Sequence, residues 1–117
     1  MKHSTFNYVR ACRQRYGLTE EELAFLVDYE ARNTISLIET GDRTPKLEAA
    51  LAFQVVFGMA PKELFPEVYE HVEDAVMRRA RVLHERLEES TDERSKVKLS
   101  LLEEMARRRD EDKLDQA

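Results

Sequence analysis

The chain has 117 residues, of which 42% are apolar and 37% charged, with only three Gly and three Pro. This is enough apolar material for a small core and too little turn material for a β-sandwich or barrel, so the composition implies an all-α protein. The formal charge of −5 divides unevenly: residues 1–65 carry eight Lys/Arg against nine Asp/Glu, and residues 66–117 carry eleven against fifteen. Neither half has the basic excess that would by itself mark a nucleic-acid binder. The lone Cys12 excludes an internal disulfide and fits a reducing, cytoplasmic setting. No apolar h-region of a signal peptide is visible, and no run approaches the ~18 apolar residues of a membrane span.

In chain order, Phe6, Val9, Cys12 and Tyr16 fall at steps of three, three and four. That spacing predicts a helix over 5–16, stopped at Gly17. Thr19-Glu20-Glu21-Glu22 reads as a capping box. It opens a second helix with Leu23, Leu26 and Val27 inward and Ala24 small enough for a close neighbour. Asp28 to Glu30 break the pattern and make a turn. A third helix places Ala31, Ile35 and Ile38 on one face and ends at Gly41. Thr44 is the expected N-cap and Pro45 the first residue of a fourth helix, which runs to Phe57 and stops at Gly58. Pro61 to Phe65 makes a single helical turn. From Pro66 to about Glu89 there is no breaker, and Val68, Val72, Ala75/Val76, Ala80/Leu83 and Leu87 supply the stripe of a long helix. Ser90-x-x-Glu93 reads as a second capping box. It opens a shorter last helix with Val97, Leu101, Leu102 and Met105 inward, and the polar tail after Arg109 is expected to fray.

Two short helices joined by a tight turn, the second carrying polar residues outward, make a helix-turn-helix arrangement over residues 17–45. At 100° per residue, with Ile35 inward, Asn33, Leu37 and Thr40 point away, Ser36 lies beside them and Arg32 flanks them. In a major groove Asn33 can pair with adenine through two hydrogen bonds, Arg32 can reach guanine or a phosphate, and Leu37 can meet a thymine methyl. The plain alternative is a solvated helix face on which Leu37 touches a protein or nothing.

Leu18-Thr19-Glu20-Glu21-Glu22-Leu23-Ala24, then Ile35-Ser36-Leu37-Ile38-Glu39-Thr40-Gly41-Asp42-Arg43-Thr44-Pro45 and Leu64-Phe65, together resemble the phage-repressor/Cro-like (XRE) helix-turn-helix family. The resemblance covers about residues 5–65. It implies a five-helix DNA-binding domain, usually used as a dimer by a transcriptional regulator. By position it also implies that Arg32, Asn33 and Leu37 read bases, with Ser36 on the same face, and that Thr40, Arg43, Thr44 and Lys46 meet phosphates. Arg13 and Glu39 fall where the family has an ion pair, and a charge beside the apolar face of the first helix needs a partner. The departures are acidic. Glu20 replaces the usual Gln facing the DNA backbone, Asp28 replaces the turn's common Gly, and Glu30 and Asp42 add negative charge. The turn is also one residue longer than the commonest pattern. Residues 31–46 carry three basic against two acidic side chains, which implies modest phosphate attraction that a dimer would multiply.

No enzyme motif is present: there is no H-E-x-x-H, P-loop, G-x-S-x-G, dinucleotide Gly motif or Cys-x-x-Cys, and His3, His71 and His84 are not spaced as metal ligands. Neither an enzyme nor a cofactor is expected, and Cys12 reads as a small core residue. The expected architecture is therefore a five-helix helix-turn-helix domain over 1–65 and a C-terminal helical hairpin over 66–117. The hairpin is a candidate dimerisation element, although Arg79 and Arg86 interrupt a strict heptad and argue against a long two-stranded coiled coil. Arg107-Arg108-Arg109 sits among acids and reads as a solvated end. The expected function is sequence-specific binding of double-stranded DNA at an inverted repeat, as a homodimer that regulates transcription. The alternative is a protein-interaction module of the same fold, binding a toxin, a sigma factor or a repressor instead of DNA.

Overall fold

The computed structural model describes residues 5–90 and 92–116, which are all-helical with no strand among them. The helices are α1 (Val9–Arg15), α2 (Glu20–Leu26), α3 (Arg32–Glu39), α4 (Leu47–Phe57), α5 (Pro61–Leu64), α6 (Pro66–Glu88) and α7 (Glu93–Gln116). They divide into two compact units, Met1–His71 and Val72–Ala117, with the division inside α6. No helix of the described residues is long and apolar enough to cross a membrane.

In the first unit, Val9, Leu23, Ile35, Ile38, Phe53 and Leu64 are fully buried, with Val27 and Phe65 beside them. Each such side chain contributes about 1.5–3 kcal/mol by leaving water. Phe53 of α4 is the central piece, its ring centroid 6.1 Å from that of Phe65 and 6.4 Å from that of Phe57. Cys12 is half-buried at the edge of this cluster, its Sγ 3.5 Å from the Met59 Sδ. Asn7 is a buried polar residue with its amide satisfied. Nδ2 donates to the Ile38 carbonyl at 2.8 Å, and Oδ1 accepts from the Val9 N–H at 3.0 Å.

The first three helices share one way of ending, a left-handed residue just past the helix with two backbone bonds reaching back. After α1 it is Gly17, after α2 Asp28 with φ 66°, and after α3 Gly41 with φ 83°. At Gly41 the absence of a side chain is needed twice, since a Cβ there would also collide with the Thr5 backbone.

Several expectations shift. The first helix starts at Val9, not residue 5, and Phe6 is 57% exposed outside it. Leu26 is half exposed, because the inward side of α2 is spent on Leu23, Ala24 and the C-cap Val27. Ala31 is the exposed N-cap of α3 and not a core residue, which follows from the longer turn. The fourth helix begins at Leu47 with Lys46 as N-cap, so Thr44 and Pro45 lie in the preceding loop. Here the backbone must travel further from Gly41 before it can turn into α4.

In the second unit α6 and α7 run antiparallel, and α7 is one residue longer than α6, at 24 against 23. The residues after Arg109 do not fray: they continue the helix to Gln116. Ser90 does not form a capping box with Glu93. Asp92 takes the cap, its Oδ1 accepting from the Ser95 N–H at 2.8 Å while Ser90 Oγ meets Asp92 Oδ2 at 3.3 Å. These bonds, the Ser95 N–H foremost, hold the Asp92 carboxyl below its ordinary pKa. The hairpin seam is marked by buried Ala80, Ser95 and Leu102 and half-buried Met77, His84, Leu87 and Leu99. Val97 and Leu101, expected inward, are 72% and 52% exposed, and Val72, Val76 and Leu83 are exposed as well. The seam turns on Ser95, Leu99 and Leu102, one step round the helix from the most apolar stripe. An ion pair closes the far end of the seam. Arg109 pairs with Asp74 and, at 3.2 Å, with Glu73, and His84 lies 3.1 Å from Glu88 and 3.6 Å from Glu103.

Candidate nucleic-acid interface

The interface is built on α2, the turn and α3. Thr19 Oγ1 accepts from the Glu22 N–H at 3.0 Å, and Glu22 Oε1 accepts from the Thr19 N–H at 2.9 Å, so the capping box forms as its residues imply. At the other end of α2, the Tyr29 N–H returns to the Ala24 carbonyl at 2.8 Å and the Asp28 N–H to Phe25 at 3.4 Å. The turn of this helix pair is thus a Schellman motif with Asp28 in the place Gly usually holds. Ile35 and Ile38 then bury the back of α3 completely.

Arg13 fixes α1 to α3. Its Nε donates to Glu39 Oε2 at 2.6 Å, its Nη2 to Glu39 Oε1 at 3.2 Å, and its Nη1 to the Leu18 carbonyl at 2.9 Å. The bond to Glu39 raises the pKa of the guanidinium against the opposing effect of burial. The Glu39 side chain is only 2% exposed, and Arg10 approaches it at 3.7 Å. This forked pair orients the helix whose outer face carries the candidate residues.

On that face Arg32 and Asn33 are exposed at the N-terminal end of α3. Arg32 lies 3.8 Å from Glu21 of α2, in a solvated pair. Ser36 and Leu37 are half-buried, so Leu37 is not the exposed residue its spacing implied. The chain folds back after α3 so that the Asp42 and Arg43 N–H groups both donate to its carbonyl, at 2.9 and 3.2 Å. Thr40, Arg43, Thr44 and Lys46 are exposed in and around the loop that follows. Thr40 is already engaged, its Oγ1 3.1 Å from the Leu37 carbonyl and 2.8 Å from Asp42 Oδ2.

Tyr29 is the residue the sequence reasoning missed. Its hydroxyl accepts from the Lys46 N–H at 3.0 Å, and the Lys46 ammonium lies 5.1 Å from its ring centroid. One side chain thereby ties the helix-turn-helix turn to the start of α4 and holds Lys46 against that turn. An aromatic ring with a polar tip inside an otherwise polar turn was the available signal. Among the described residues no group of His, Cys, Asp and Glu is placed to hold a metal ion.

Residues 9–64 match the family model described as Helix-turn-helix, which spans all of α1 to α5. No curated protein and no solved structure is similar enough to match the chain. The N-terminal unit is therefore an XRE/Cro-like helix-turn-helix domain, of the family of DNA-binding transcriptional regulators.

Proposed function

We propose that this protein binds double-stranded DNA sequence-specifically, as a homodimer on an inverted repeat, and regulates transcription. The observation that carries this is the exposed Arg32-Asn33 pair at the leading end of α3, whose opposite side is locked into the core through Ile35 and Ile38. A helix held that firmly presents side chains to base edges without first having to be ordered. Asn33 and Arg32 would read bases, with Ser36 and Leu37 closing against the groove wall. Thr40, Arg43, Thr44 and Lys46 would meet phosphates on the flank. Two such units would place their α3 helices about one DNA turn apart.

The experiment is selection of bound sequences from a random duplex library by the purified chain, at low and then physiological salt. Recovery of an inverted repeat is the expected result. Asn33→Ala should then cost about 1–3 kcal/mol at a single base position, and Glu20→Gln should tighten binding by removing a carboxylate from the phosphate side. Sequence-blind binding, or affinity unchanged in both variants, would sink the groove-reading assignment.

A second function is favoured by the carboxylates at this face, Glu21 against Arg32 and Asp42 against Thr40, which offset its positive charge. In that case the α3 face binds a protein, such as a toxin, a sigma factor or a repressor, and the library yields no sequence.

A further inference from the structure

The two sides of the α6–α7 hairpin differ in kind. One side carries a groove lined by Arg81, Glu85, Glu88 and Glu103, mixed in charge, with the buried Ala80 and Leu102 also in its lining. The residues about 60–140° round each helix in the other direction from the seam share the opposite side. They are Val72, Val76 and Leu83 from α6 and Leu101 and Met105 from α7, together with five cations, Arg79, Arg86, Arg94, Lys98 and Arg108. Four of the apolar side chains are 42–54% exposed. All five cations are exposed and none has an ion-pair partner among the described residues, whereas Arg107 and Arg109 on the same helix are paired. Asp112 is the one carboxylate on this side.

We propose that this face of the hairpin binds an amphipathic acidic helix of a partner protein. The apolar stripe has the dimensions of a helix-binding surface, with Val72, Val76, Leu83 spaced at four and seven residues. Arg79 and Arg86 interrupt that stripe seven residues apart, two helical turns along one side, and fit carboxylates repeated at the same interval on the occupant. A second copy of this chain would set five cations against five across the contact, which charge complementarity disfavours. A DNA duplex would leave the apolar side chains facing phosphates with nothing to cover them.

The test uses the full chain and two labelled synthetic helices of about three heptads, each with Leu at a and d, one with Glu and one with Lys at e and g. Fluorescence anisotropy should show binding of the Glu peptide, weakened by salt, and little of the Lys peptide. Arg79→Glu/Arg86→Glu should weaken the Glu peptide by at least about tenfold and reverse the preference. Circular dichroism on the same variant should be unchanged, because both side chains are exposed. Equal binding of the two peptides, binding of neither, or indifference to the double substitution would overturn the proposal. So would sedimentation showing that the double substitution dissociates a dimer of the chain, since the face would then belong to a second copy.

Discussion

The two units stabilise themselves by different means. The first buries six large side chains completely, Phe53 the central one, while the most buried described residues of the second are Ala80, Ser95 and Leu102, at 8, 4 and 9% exposure. The first unit is a small core in which every helix contributes a wedge, and α3 inherits the rigidity of that core. The hairpin is a thin seam held by a few side chains, a cap and the Arg109 ion pairs at its far end. Rigidity for presenting α3 and an open apolar surface on α6 and α7 are thus assigned to separate parts of one chain.

The largest expected effect tests this contrast directly. Phe53→Ala should destabilise the first unit by about 3–5 kcal/mol, because a ring-sized cavity opens among residues with no freedom to close it. Leu102→Ala in the hairpin should cost about 2 kcal/mol, at the bottom of the range for such truncations, since a two-helix seam can collapse around the gap. Urea unfolding followed by circular dichroism compares them, and equal costs would break the contrast.

Next in size is the polar anchor of the first unit. Arg13→Ala should cost about 3 kcal/mol, because it strands the nearly inaccessible Glu39 carboxylate with only Arg10 at 3.7 Å. Arg13→Met combined with Glu39→Leu should cost distinctly less than the single change, since no buried charge is left unpaired. A thermal unfolding series on the three proteins decides this. If the double variant is no better than the single one, the pair matters by shape and not by charge.

A smaller effect has the opposite sign. Asp28 holds φ 66° at the turn. Asp28→Gly should stabilise the first unit by about 0.5–1 kcal/mol by removing left-handed strain, net of the extra freedom Gly has when unfolded. A fall in stability would mean that the Asp28 side chain contributes something its exposed position does not reveal.

The smallest effect belongs to the hairpin and depends on pH. The folded pKa of Asp92 lies below its unfolded value, so its cap stabilises fully above the unfolded pKa and loses that contribution as pH falls through the folded one. Acid titration of helicity below about pH 4 should therefore show a loss that Asp92→Asn blunts. An unchanged acid limb in that variant would remove Asp92 from the account.

The capping box at Thr19–Glu22, the stops at Gly17, Gly41 and Gly58 and the burial of Ile35 and Ile38 were legible because each is a local rule, read within a few residues. So was the pairing of Arg13 with Glu39 once the family resemblance aligned them. The candidate surface was legible only in outline. Spacing placed Leu37 opposite the core, yet it is half-buried, and a helical period by itself gives direction and not the degree of cover. Tyr29 was missed because its partner Lys46 lies 17 residues further on.

The sequence by itself determined that the chain is helical, where most helices stop and which family its first half resembles, because propensity, capping and hydrophobic period act over one or two turns. Which of two adjacent stripes on α7 faces α6 was left to the tertiary structure. Apolarity favoured Val97 and Leu101, but Ser95 and Leu102 are the residues of α7 that are buried, as Ala80 is on α6, with Arg109 reaching Glu73 and Asp74 at the far end of the seam. That choice depends on how two surfaces separated by tens of residues fit together, and it is what leaves a basic, apolar face turned outward.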